Sequence, residues 1–168
     1  MIENEKRALL DENENLTGEY IYVGEDIPKD RYVRAVRIFI ENSEGKFLIQ
    51  KRSKNRDDKY GTTGGHPKIG ENSIDGIITE VKEELGLLIE KYDIILATKV
   101  KWNNDINDIY YMKKDIKDLR ELKLQKEEVD DVYWLSADEI EDINKRGDML
   151  ESHYYFFKKF MEWKEKNG

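Results

Sequence analysis

Glu80, Glu83 and Glu84 stand at i, i+3 and i+4 of one segment, and a fourth glutamate, Glu71, lies nine residues upstream of Glu80. Carboxylates packed this closely repel one another, so a helical face that keeps them together calls for a neutralising cation. Hard oxygen donors beside a glycine-rich turn, whose backbone can direct a carbonyl, suit Mg²⁺ or Mn²⁺. Such an ion bridges phosphate oxygens and lowers the pKa of a bound water, which makes phosphoanhydride hydrolysis the natural reaction class. A plain solvated face carries the same spacing, so the spacing alone leaves both readings open.

The elements that must position these residues are legible around them. A helix is expected from Asn72 or Ser73, with Ser73 as N-cap and Gly86 ending the last turn. Ile74, Ile77, Ile78, Val81 and Leu85 fall on one stripe of that helix, and the three glutamates cluster beside it. Upstream, residues 19–23 and 32–41 read as strands, Asn42–Gly45 as a turn, and KFLIQKR as the returning strand of a hairpin. Residues 53–60 carry no apolar pattern, and Gly61-Thr62-Thr63-Gly64-Gly65 reads as a flexible turn. Downstream, YDIILATKVKW, NDIYYMKKDI and VDDVYWLS read as strands. ADEIEDINKR reads as a helix capped by Ser136, and SHYYFFKKFMEWKEKNG as a terminal helix docked by its aromatic residues. The order implies a mixed sheet with helices packed on its faces.

The 168 residues fit one domain, and the 11% aromatic content with periodic segments argues for a folded chain. A net charge of −8 repels a polyanion, so no nucleic acid partner is expected. No stretch suits a membrane span or a secretory signal, and a cytoplasmic protein is expected. With zero cysteines, disulfides and thiolate chemistry are excluded. The basic run Lys46–Lys59 reads either as a solvated loop or as a site for a small phosphorylated substrate.

Position for position, residues 65–87 resemble the Nudix box, G-x5-E-x7-R-E-U-x-E-E-x-G-U with U a bulky aliphatic. Gly65, Glu71, Glu80, Val81, Glu83, Glu84, Gly86 and Leu87 fill eight of its nine defined positions. FLIQKRS, the basic loop, Gly64-Gly65-His66, EEVDDVYWLSADEI and the acidic stretch with a Thr-Gly pair at 11–18 resemble the branch related to isopentenyl diphosphate isomerase. The resemblance implies an α/β fold, a Nudix α/β/α sandwich with a mixed β-sheet. It implies a single domain over 1–168, with residues 1–30 as an N-terminal β extension. The implied activity is hydrolysis of a nucleoside diphosphate linked to another moiety, or a similar small diphosphate, using Mg²⁺ or Mn²⁺. Carried over by residue, Glu80, Glu83 and Glu84 would be metal ligands, with the Gly64 carbonyl a further one. Gly65, Glu71 and Gly86 would be structural. Glu127 and Glu128 are the candidates for an added base or ligand, Glu128 being favoured, and Arg34, Arg37, Lys51 and Arg52 would contact phosphate.

One box position departs: Thr79 replaces the arginine, removing a cation from the carboxylates, and Arg37 or Lys51 would have to substitute. Thr79 also favours an alternative reading, a catalytically weak Nudix module that binds a nucleotide or partner for regulation. Isomerases of the branch use a cysteine near Gly64-Gly65-His66, which this chain lacks, so isomerisation is not expected. His66 and His153 read as structural, as do Trp134 and Trp163, while Trp102 lies between strands. The aromatic-rich termini suit either a homodimer contact or docking on their own chain. No motif identifies the substrate.

Overall fold

The computed structural model describes residues 5–167; the first four residues of the expected extension, and Gly168, lie outside the described residues. Strands β1 (Lys6–Leu10) and β2 (Leu16–Tyr22) form an antiparallel hairpin. Asp11 holds its turn, accepting from the backbone N–H groups of Asn13 and Asn15 at 2.8 and 2.9 Å. Only β2 was expected, because five residues of KRALL beside an acidic run carry too short a pattern to announce a strand. The hairpin docks through a bridge between Leu10 and Tyr32 and a small cluster of Leu9, Ile21 and Val33.

Strands β3 (Val33–Glu41) and β4 (Phe47–Arg52) follow, then β5 (Tyr60–Gly61), β6 (Thr63–Gly65) and helix α1 (Ser73–Leu85). The chain continues through β7 (Ile95–Trp102), β8 (Asp105–Lys113), β9 (Val129–Leu135), α2 (Ala137–Lys145) and α3 (Glu151–Asn167). The main sheet is mixed: β3 pairs in parallel with β8 along its whole length, while β7–β8 and β4–β9 are antiparallel. β3 and β4 pair only beside their turn, at Glu41 and Phe47, and then diverge. β6 joins β3 and β5 joins β4, so the glycine segment expected to be a loop lies in the gap between them.

Strand alternation gives the sheet two apolar faces. On one, Val36, Ile38, Ile40 and Leu48 meet Ile77, Val81 and Leu85 of α1. Full burial of each of these three helix side chains stabilises by about 1.5–3 kcal/mol, which fixes α1 and the glutamates beside the stripe. On the other face Phe39, Phe47, Ile49 and Ile109 pack on Phe156, Phe157 and Phe160 of α3 and on Ile140 and Ile143 of α2. The result is an α/β/α sandwich. Trp102 docks α3 through Tyr155 and Phe156. Ser136 caps α2 within a full capping box, but at α1 the cap is Asn72, whose side chain accepts from Asp75 N at 2.9 Å. Ser73 does not cap; its hydroxyl donates to Asp108. Gly86 ends α1 in the left-handed region, φ 65°. No helix among the described residues is long and apolar enough to cross a membrane.

Candidate active site

Helix α1 presents Glu80 and Glu84 one turn apart on a face turned toward the gap between β3 and β4. Their carboxyl groups share a hydrogen bond, and Gln50 Nε2 donates to Glu84 Oε1 at 3.0 Å and to the Thr62 carbonyl at 3.1 Å. Burial pushes the Glu80 carboxyl up to about 9, and the Glu84 charge adds to it. Burial also raises Glu84, against the opposing pull of its hydrogen bonds with Gln50 and Glu80. Two acids drawn out of water side by side thus both resist ionisation, with Arg37 opposing the shift.

The glycines of β6 make this arrangement sterically possible. A Cβ on Gly65 would lie 2.6 Å from the Glu80 carboxyl, and one on Gly64 would run into the Val36 carbonyl. Any side chain there would displace the glutamate or break the pairing with β3. Glu71 lies apart from the pair: its Oε1 accepts from the Lys68 N–H at 3.0 Å and its Oε2 from the Thr79 hydroxyl at 2.8 Å. Thr79 thus ties Glu71 to the helix by a neutral hydrogen bond. Glu83 turns to Lys68 at 3.2 Å and is exposed. Among the described residues no three acidic or imidazole side chains converge as a ready metal cage, so the expected trio stands as a buried Glu84 with a half-buried Glu80, plus an outlying third.

A cavity of about 320 Å³ opens beside Glu84, lined by Arg7, Arg37, Arg52, Arg56, Glu84 and Glu128. Glu128 sits just before β9 and pairs with Arg56 at 2.7 Å, while Glu127 is exposed. Arg52 is held by Asp57 at 3.0 Å. Arg37, half-buried, donates to Asn107 at 3.4 Å and lies 5.6 Å from the Phe156 ring centroid; burial lowers its pKa, and Glu84 is its nearest electrostatic counterweight.

Two expected phosphate contacts are elsewhere. Lys51 points to the opposite sheet face, because the alternation that sends Gln50 inward sends its neighbour out; it pairs with Asp58 at 2.6 Å and lies over Tyr60. Arg34 is consumed by Glu14 at 2.6 Å and Asp108 at 3.0 Å. Of the two cations expected to substitute for the box arginine, Lys51 is thus turned away, and Arg37 is the one whose charge acts on Glu80 and Glu84. His66 bonds Asp105 at 3.2 Å, and His153, 3% exposed, accepts from the Thr62 N–H at 2.9 Å, both in structural roles.

A sequence model of the NUDIX domain matches residues 31–160. The chain is 32% identical over 160 residues to an uncharacterised Nudix hydrolase of Listeria monocytogenes, covering 91% of this chain and 90% of the relative. This chain belongs to the Nudix hydrolase family. A Listeria innocua relative, also an uncharacterised Nudix hydrolase, is 31% identical over 95% of both chains. Among solved structures, a Deinococcus radiodurans protein superposes with a TM-score of 0.72 at 19% identity, over 86% of this chain and 91% of its own. A bifunctional NMN adenylyltransferase/ADP-ribose pyrophosphatase of Francisella tularensis gives 0.65 at 20% identity, over 80% of this chain and 42% of its own. These likenesses bear on the Nudix fold.

Nudix hydrolases generally need divalent metal ions. The donor set fits that need: one buried and one half-buried carboxylate, neither in an ion pair among the described residues, against a glycine backbone with no side chain between. Sequence reasoning missed Arg7 and Gln50 on this cavity. Gln50 had a signal, since it is the polar residue on the inward side of FLIQKR, two residues from Leu48. Arg56 lay within the basic run Lys46–Lys59, but its pairing with Glu128 had no signal, because that partner is 72 residues away in sequence.

Proposed function

We propose that this protein hydrolyses a small diphosphate, either a nucleoside diphosphate linked to another moiety or a similar compound, by attack of water on phosphorus. The observation that carries the reading is the Glu80–Glu84 pair, Glu84 buried and Glu80 half-buried, beside an arginine-lined cavity. Glu80 and Glu84, with the Gly64 carbonyl, would hold Mg²⁺ or Mn²⁺, and Glu83 would add a ligand on leaving Lys68. A bound ion supplies charge neutralisation at phosphate oxygens and a water of lowered pKa. Arg37, a guanidinium of the sheet with no ion pair among the described residues, binds phosphate oxygens; Arg52 adds the donors not engaged by Asp57. Glu128, steadied by Arg56, takes the proton of the attacking water as the anhydride P–O bond breaks. Glu71, Gly65 and Gly86 keep the loop–helix–loop in shape.

ADP-ribose is the first compound to test, because the Francisella tularensis neighbour is an ADP-ribose pyrophosphatase. In addition, a Shewanella oneidensis NUDIX domain of TM-score 0.51 was crystallised with ADP-ribose. A diphosphate panel assayed with Mg²⁺, with Mn²⁺ and with neither should give metal-dependent release of a monophosphate. Thr79 in place of the box arginine supports the second reading, a nucleotide-binding module with little turnover. Binding of a panel nucleotide without hydrolysis under any metal would select it.

A further inference from the structure

Strand β1 carries Arg7 directly opposite Ile21 of β2. Paired residues of a two-stranded ribbon point to the same side, and Ile21 is buried in the cluster that docks the hairpin. Arg7 thus faces inward, where the strand pattern calls for an apolar residue. Its Nε is buried and has no hydrogen-bond partner among the described residues. An unsatisfied buried donor is unfavourable, and a guanidinium doubly so, unless an anion completes it.

Where the side chain reaches explains its place. Arg7 lines the cavity that holds Arg37, Glu84 and Glu128, and it also borders a cavity of about 360 Å³ where Leu10, Leu16 and Ile69 stand beside Glu14, Arg34 and Lys68. Of the four arginines on the Glu84 cavity, Arg52 and Arg56 are neutralised by Asp57 and Glu128. Arg37 and Arg7 have no ion pair among the described residues. Two uncompensated guanidinium groups, one from the sheet and one from the N-terminal hairpin, face the same space.

We infer that the N-terminal hairpin is part of the substrate site and that Arg7 is a phosphate-binding, specificity-determining residue, acting with Arg37 on the oxygens of a diphosphate. This rests on the diphosphate reading of the same site. Arg7 lines both cavities, so it fixes the end of the diphosphate from which the rest of the substrate extends toward the second cavity. Arg7 takes no part in proton transfer, and its loss acts on binding rather than turnover.

The test uses methylenediphosphonate, a diphosphate mimic that cannot be hydrolysed, titrated calorimetrically into the full chain with Mg²⁺. Arg7→Ala should weaken its binding by about tenfold or more, the range for a lost charge-assisted hydrogen bond, with Arg7→Lys between the two. Arg31→Ala, which breaks an exposed hairpin ion pair with Glu19, should leave binding unchanged. On a substrate found by the panel, Arg7→Ala should raise KM with kcat within about threefold, as expected for lost uniform binding. Arg7→Met fills the inward position without charge and serves if the alanine variant fails to fold. Binding by a folded uncharged variant within about twofold of wild type overturns the inference. So does an equal loss in Arg31→Ala, or no binding by wild type. Arg7-dependent binding with no hydrolysis on the panel would remove the hydrolase reading and leave this one standing.

Discussion

Near the N-terminal end of α1, Asp108 lies buried with Arg34 at 3.0 Å, Lys99 at 3.5 Å and the Ser73 hydroxyl at 2.5 Å, and Glu14 of the hairpin turn closes the set through Arg34 and Lys99. Farther along the same helix, Glu84 is buried against Gln50, with Glu80 half-buried beside it. Both clusters desolvate carboxylates, yet one is closed by direct ion pairs, while neither Glu80 nor Glu84 has one among the described residues. A matched cluster fastens elements together: Glu14, Arg34, Lys99, Asp108 and Ser73 come from the hairpin turn, β3, β7, β8 and α1. An unmatched one is unfavourable until something from outside the chain completes it, and that is the physical signature of a site.

The contrast breaks most readily at Asp108. Asp108→Ala should lower unfolding free energy by about 3 kcal/mol, read by denaturant titration, because it strips a buried partner from Arg34. Metal-dependent hydrolysis by the folded fraction should stay within about tenfold of wild type. Glu84→Gln should do the reverse, lowering kcat/KM by about a hundredfold, close to 2.7 kcal/mol, while the unfolding midpoint stays in place. Hydrolysis within about tenfold of wild type would show that the matched and unmatched clusters do not differ in function. The smallest effect concerns His153, on the cavity wall near Arg37 and Arg52. Burial and these two cations lower its pKa, so the folded protein takes up the proton less readily than the unfolded chain. Stability is therefore full above the unfolded value of about 6.5 and declines as pH falls toward the lower folded value, by at most about 1.4 kcal/mol per pH unit. His153→Gln should flatten that part of the stability–pH curve; an unchanged slope would place the titration elsewhere.

The box helix was legible because its signal is local: an apolar stripe, a left-handed glycine stop and acidic residues one turn apart. The hairpin of β3 and β4 and the capped α2 were legible for the same reason. Strands β5 and β6 were not, since glycine and threonine in a short run look like a loop until a neighbouring strand pairs with them. Ser73 was misread as the cap because its hydroxyl serves Asp108, 35 residues onward. Lys51 was misread because a count of basic residues ignores the side of the strand each one occupies. Arg7 was legible in principle, as an arginine in the leucine-ended strand KRALL, but only a pairing partner such as Ile21 tells which side faces in.

The parallel pairing of β3 with β8 also carries a consequence in time. Residues 33–41 find their partners at 105–113, and β4 waits for residues 129–135. Ordering such long loops precedes the contacts that reward it, which slows formation of the central sheet relative to local structure. On a ribosome, the glutamates of α1 emerge well before β9, and Glu128 just ahead of it emerges among the last parts of the cavity. Helical register alone leaves those glutamates in water with ordinary acidity. Their departure from it arises only when distant strands close the sheet, so the chemistry of the site is a late product of folding rather than a property of the helix that bears it.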